Sequence, residues 1–207
     1  MRFQKIFFVI LVILGWFALT AQFYIIIVNR VALIGETVIR YFSFFTILTN
    51  LLVAICCTLL LLIPSSPGGR FFSRATTLTA IAVYISVVSI IYNIILRFLW
   101  KPEGLQLIVD ELLHTIIPIV FVAMWFIFTN KATLKWQNIF SWLLYPLIYI
   151  VYILMRGTSS GFYPYPFINV TELGYGRVLI NSVGMLFVFL FLSFLFVGIA
   201  KLRTNKS

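Results

Sequence analysis

The chain has 207 residues, 63% of them hydrophobic and only 10% charged, where an ordinary soluble domain carries about 25% charged residues. Its net charge of +10 comes from basic residues placed singly or in pairs at the ends of apolar runs, a pattern of membrane topology and headgroup contact that excludes a nucleic-acid footprint. What remains is an all-α polytopic membrane protein, with residues 1–207 forming one six-helix transmembrane domain.

Taken in order, Arg2 and Lys5 precede an apolar run from about Ile6 to Val28. That run outlasts the roughly 7–15-residue core of a cleaved signal peptide, so it is a retained first helix. A polar link over 29–40 carries Arg30, Glu36 and Arg40. The second helix spans about Tyr41 to Ile63 and stops at Pro64-Ser65-Ser66-Pro67-Gly68-Gly69, a cluster of breakers. A third runs from about Ala75 to Leu99, closed by Trp100-Lys101-Pro102. The fourth, about Leu105 to Phe128, holds His114, the only histidine in the chain. A fifth covers about Trp136 to Met155, followed by a loop over 156–176 rich in Gly, Tyr and Pro. The sixth, about Arg177 to Ala200, precedes a basic tail. No internal repeat points to the inverted halves of many transporters.

With the amino terminus inside, nine basic residues face inward: Arg2, Lys5, Arg70, Arg74, Lys131, Lys135, Lys201, Arg203 and Lys206. Six face outward, and all five acids join them. The bias predicts both termini cytoplasmic. Cys56 and Cys57 are adjacent within a span, which suits small apolar packing, and no Cys/His spacing marks a metal site. No cofactor, metal or nucleic acid is expected. The oligomeric state stays open.

An ionisable side chain inside a span is a functional-site hypothesis whose partner must be found. His114 has one candidate at similar depth, Thr46, near the start of the second helix. Both helices are entered from odd-numbered links, which share one side of the membrane. At about 1.5 Å per residue, both side chains lie roughly 8–14 Å below that surface. Arg156, the Tyr163-Pro164-Tyr165-Pro166 loop, Asn169, Arg177, Asn181 and Ser182 gather on the same side. A polar pocket open to the outer leaflet is expected, with Thr49 and Asn50 close by on the Thr46 helix. Acyl transfer is the chemistry that suits it. A neutral imidazole accepts the proton of a threonine hydroxyl, then returns it to the leaving group. Asp110 at i−4 or Glu111 at i−3 is placed to orient the ring; the competing reading makes both solvated interfacial acids. GxSxG, P-loop, dinucleotide and zinc motifs are absent.

At these positions the chain resembles a known family. Phe44-Phe45-Thr46-Ile47-Leu48-Thr49-Asn50-Leu51, His114-Thr115 with Pro118 beyond, and Gly161-Phe162-Tyr163-Pro164-Tyr165-Pro166-Phe167 occur in the order found in the androgen-induced and androgen-dependent TFPI-regulating membrane proteins. Those are six-helix enzymes that hydrolyse fatty acid esters of hydroxy fatty acids. The resemblance implies Thr46 as nucleophile, His114 as base, and a lipid ester as substrate. Tyr163 stands where that family has Trp, and Pro118 lies one residue closer to the histidine. Thr49, one turn on, is the alternative nucleophile. The shorter chain looks like a bacterial relative, which implies the cytoplasmic membrane.

Each reading has a structural counterpart. Membrane threonines commonly bond the i−4 carbonyl, and a buried histidine can join two helices by a hydrogen bond. The Tyr-Pro loop can be a rigid interfacial turn, and Asn169-Val170-Thr171 a sequon without meaning in a bacterium. Arg156 can bind a headgroup or fatty-acid carboxylate, or cap the fifth helix. The alternative function is a non-enzymatic six-helix protein: a small transporter, a lipid-binding module or a sensor.

Overall fold

The computed structural model describes residues 2–204. Lys206, counted above for orientation, lies outside them, as do the side chains of Arg2 and Arg203. Among the described residues the chain is helical throughout, without strands. Ten α-helices follow in order: α1 Arg2–Val28, α2 Ile34–Tyr41, α3 Phe45–Leu62, α4 Pro67–Phe72, α5 Ala75–Ile94, α6 Gly104–Glu111, α7 Ile117–Phe128, α8 Asn138–Trp142, α9 Leu144–Ser160 and α10 Val170–Thr204. Six segments are long and apolar enough to cross a membrane: Phe3–Val28, Phe45–Leu62, Ala75–Phe98, Gly104–Phe128, Asn138–Ser160 and Val170–Leu202.

Helix α5 is the central one, flanked by α3, α7 and α10, while α1 packs along α3. Small residues allow that approach: a Cβ on Gly15 would come within 3.2 Å of the Ala54 side chain. Buried polar tips are tied across helices. Trp125 Nε1 donates to Thr79 Oγ1 (2.8 Å), and the Tyr84 hydroxyl donates to the Trp142 carbonyl (2.6 Å), so neither polar tip is left unpaired in the apolar interior. Helix α9 is peripheral. It packs on α10 and α8 and presents Leu144, Leu147, Ile148, Val151 and Met155 outward. Faces of this kind are costly against water and natural against lipid.

The boundaries correct the sequence reading in two places. Part of the first link is itself a helix, α2, and the chain breaks at Phe42–Phe44 before α3 begins. Thr46 is therefore the second residue of its span, whereas His114 is the eleventh of Gly104–Phe128; equal depth by residue count does not hold. The long loop is shorter than expected. Helix α9 continues to Ser160, where Gly161 caps it in the left-handed region (φ 69°), and α10 starts at Val170, with a non-helical Gly174 (φ 70°). The sixth span buries Phe189, Leu192 and Phe196 and exposes Phe187, Phe191 and Phe194, so its phenylalanines serve both core and outer surface.

Candidate active site

Pro118 shapes the backbone at His114. Proline has no N–H to donate and ends regular i−4 pairing upstream. Leu112–Ile116 form a π-helical turn, in which the Ile117 N–H reaches back five residues to the Leu112 carbonyl. Such single turns are frequent at functional sites. Two carbonyls lose their helical partners: Leu113, with Ile117 so engaged and Pro118 next in line, and His114, whose i+4 residue is Pro118. Neighbouring helices serve both. Asn50 Nδ2 donates to the Leu113 carbonyl (3.1 Å) and to that of Thr46 (2.9 Å). Asn93 Nδ2, from α5, donates to the His114 carbonyl (3.3 Å). The two asparagines thus pin the turn that carries the histidine.

The ring of His114 is held from two sides. Tyr92 stacks on it, with centroids 3.8 Å apart and planes 11° from parallel. Nδ1 lies 2.9 Å from the Asp110 carbonyl oxygen. A carbonyl can only accept, so Nδ1 carries the proton and neutral His114 keeps an unprotonated Nε2. Asp110 therefore orients the ring through its backbone; its carboxylate is farther from Nδ1, at 3.9 Å. That carboxylate is buried and accepts from the Tyr92 hydroxyl (2.8 Å) and Gln106 Nε2 (3.1 Å). The solvated-acid reading fails for Asp110. Glu111 turns away from the ring and pairs with Arg97.

Thr46 is unlike most hydroxyls in the bundle. Thr20, Thr58, Thr79, Ser86, Thr158 and Ser182 each bond a carbonyl four residues back. In the first turn of α3, Thr46 instead has Tyr165 above it: the Thr46 N–H donates to the tyrosine oxygen (3.2 Å), and the two hydroxyls lie 3.4 Å apart. Burial pushes the Tyr165 hydroxyl up from its ordinary pKa, so it stays protonated at neutral pH. Its oxygen already accepts from the Thr46 amide, which leaves its own proton to donate.

The loop carrying Tyr165 is braced rather than loose. Arg156 donates to Glu36 Oε1 (2.7 Å) and lies over the Phe162 ring, 4.6 Å from which Arg40 sits on its own account; Arg40 also pairs with Glu36 (2.9 Å). Arg156 thus binds a carboxylate of this chain, and it also donates to the Ser160 hydroxyl (3.3 Å) and the Phe162 carbonyl (3.4 Å) at the end of α9. Asn181 Nδ2 donates to the Phe167 carbonyl (2.7 Å). Tyr163 lies so close to Gly157 that any Cβ there would overlap its ring.

Thr46 and His114 line one cavity of about 260 Å³, together with Gln22, Tyr41, Tyr92, Gln106, Asp110 and Tyr165. No direct hydrogen bond joins the two among the described residues. Thr49 is fully buried, faces the Tyr145 hydroxyl at 3.4 Å, and does not line this cavity. Asn50 sits behind Thr46, buried. Sequence reasoning missed Tyr92, Asn93, Gln22 and Gln106. Asn93 and Gln22 were discoverable as amides within apolar spans. No group of three or more His, Cys, Asp or Glu side chains suited to a metal occurs among the described residues. Compared with known family models, curated proteins and solved structures, the chain matches none.

Proposed function

We propose that this is a membrane-embedded threonine hydrolase of lipid esters, with Thr46 as nucleophile and His114 as base, in a pocket near the outer leaflet. The observation that carries the reading is that one cavity is lined both by a threonine hydroxyl free of helical back-bonding and by an imidazole whose Nδ1 is occupied and whose Nε2 is not. In the reaction Thr46 Oγ1 adds to the ester carbonyl as its proton passes to Nε2. The bond from carbonyl carbon to alcohol oxygen breaks, and the alcohol leaves with that proton. Water, deprotonated by the same nitrogen, then cleaves the threonyl ester, releases the acid and restores Thr46. Tyr165 positions the nucleophile. The burial of Thr49 away from the cavity supports Thr46 over it.

The resemblance to the androgen-induced and androgen-dependent TFPI-regulating proteins suggests fatty acid esters of hydroxy fatty acids or similar lipids as substrates. On this reading the chain is a bacterial cytoplasmic-membrane protein with both termini inside and no metal or cofactor. A non-enzymatic six-helix protein is the second reading, favoured by the missing direct bond between Thr46 and His114. Fatty-acid release from long-chain esters by the purified protein separates the two. Release abolished in both Thr46→Ala and His114→Ala supports the hydrolase, and equal release by all three proteins refutes it.

A further inference from the structure

A second, larger cavity of about 530 Å³ lies between α5, α9 and α10, within the about 300–1,000 Å³ of ordinary ligand sites. Val87, Val88 and Ile91 of α5 form one of its walls. Its wall is almost wholly apolar, with Ile150, Leu154, Met185 and Phe189 among its residues. Thr46, Leu96 and Tyr165 line both this cavity and the smaller one, so the candidate nucleophile stands at the partition between an apolar chamber and a polar one.

The polar chamber has a distinct chemistry. Gln22 Oε1 accepts from Gln106 Nε2 (2.9 Å), and Gln106 and Tyr92 both donate to the Asp110 carboxylate. No arginine or lysine is among the residues lining it; Arg97, over the outer side of the Tyr92 ring, is paired with Glu111. A carboxylate placed here would face the buried Asp110 with no cation among the lining residues, the nearby Arg97 being paired with Glu111, which is unfavourable in an apolar setting. A hydroxylated, uncharged group finds both donors and acceptors.

We infer that the apolar chamber holds one long acyl chain of the substrate, and that the polar chamber takes an uncharged, hydroxyl-bearing alcohol portion of the glycerol type. The inference rests on the hydrolase reading for the placement of the ester at Thr46, and it departs from the substrates that the resemblance suggests: a single-chain ester without a free carboxylate takes the place of the carboxylate-bearing esters of hydroxy fatty acids. The chain approaches from lipid between α9 and α10, whose outer faces are apolar.

The test uses the full-length protein in nanodiscs and a hexadecyl ether of glycerol with a diazirine near the chain end, which the enzyme cannot cleave. Photolysis and peptide mapping are expected to place cross-links on Ile150, Leu154 or Met185. Excess unlabelled hexadecyl glycerol ether removes them, and the hexadecyl ether of a hydroxystearate, which keeps a free carboxylate, competes far less. Ile150→Trp and Ser182→Phe fill the chamber from α9 and α10 respectively, and each loses the cross-link. Cross-links confined to the α1 surface, equal competition by the carboxylate-bearing ether, or cross-links unchanged in both variants overturn the assignment. Because no ester is cleaved, a cross-linked chamber in a protein that releases no fatty acid would leave the binding site standing and reject the hydrolase.

Discussion

Replacing Asn50 with Leu removes the side chain that, among the described residues, ties the helix of Thr46 to the backbone of the His114 turn. Its amide donates to the carbonyls of Thr46 and Leu113, and the residue is fully buried. The Thr46 carbonyl retains its helical partner, so losing that bond costs little. The Leu113 carbonyl has no helical alternative, because the π turn and Pro118 withdraw both backbone donors. An unsatisfied buried carbonyl costs about 1–3 kcal/mol. Polar contacts inside membrane bundles average nearer about 0.6 kcal/mol and reach about 1.7. The apolar surroundings of Leu113 favour the overlap of these ranges, so a loss of about 1–1.7 kcal/mol is expected. Reversible unfolding in mixed detergent micelles measures it, and fatty-acid release measured in parallel should fall by about tenfold, as the ring drifts by roughly the equivalent of 1.4 kcal/mol in the barrier. Stability and release both within error of the wild type would refute the argument that Asn50 holds the histidine turn.

Tyr165→Phe removes the hydroxyl beside Thr46 while keeping the ring stacked on Phe167; release should fall about tenfold, the equivalent of one hydrogen bond of about 1.4 kcal/mol, and the unfolding midpoint should fall modestly because the Thr46 N–H loses its acceptor. Gly157→Ala drives a methyl into the Tyr163 ring, and is expected to displace the Tyr-Pro loop and lower both activity and thermal midpoint. Glu36 is held below its ordinary pKa, chiefly by its hydrogen bond to Arg40 and then by Arg156, against a desolvation that acts in the opposite sense. A depressed folded pKa means that the stability from Glu36 is full above the unfolded value of about 4.3 and is lost as pH falls below it. Unfolding midpoints measured from pH 7 down to about pH 3 should therefore decline less in Glu36→Gln than in the wild type; parallel curves would contradict the ion pair's role.

Six apolar runs, their breakers and the lone histidine were legible because each is a local property of the chain. Their three-dimensional consequences were not. Helix α2 escaped notice because eight residues with Glu36 and Arg40 in a polar link read as connection, although Glu36 and Arg40 are spaced i, i+4. Thr46 and His114 line one cavity without a hydrogen bond between them, and the similar depth expected for both is not what the helix starts give: Thr46 is the second residue of its span and His114 the eleventh. The i−4 relation of Asp110 to His114 was visible, but not that the ring would take its carbonyl, a choice made by Tyr92 and Gln106 competing for the carboxylate. Asn93 and Asn50 gained meaning only once the π turn exposed the carbonyls they serve.

The most direct measurement of the central claim is peptide mapping of the purified protein after reaction with a fluorophosphonate. The account predicts one adduct, on Thr46, absent from His114→Ala although that variant still unfolds cooperatively. An adduct on Thr49 or another hydroxyl, or labelling of Thr46 that persists without the imidazole, would contradict it.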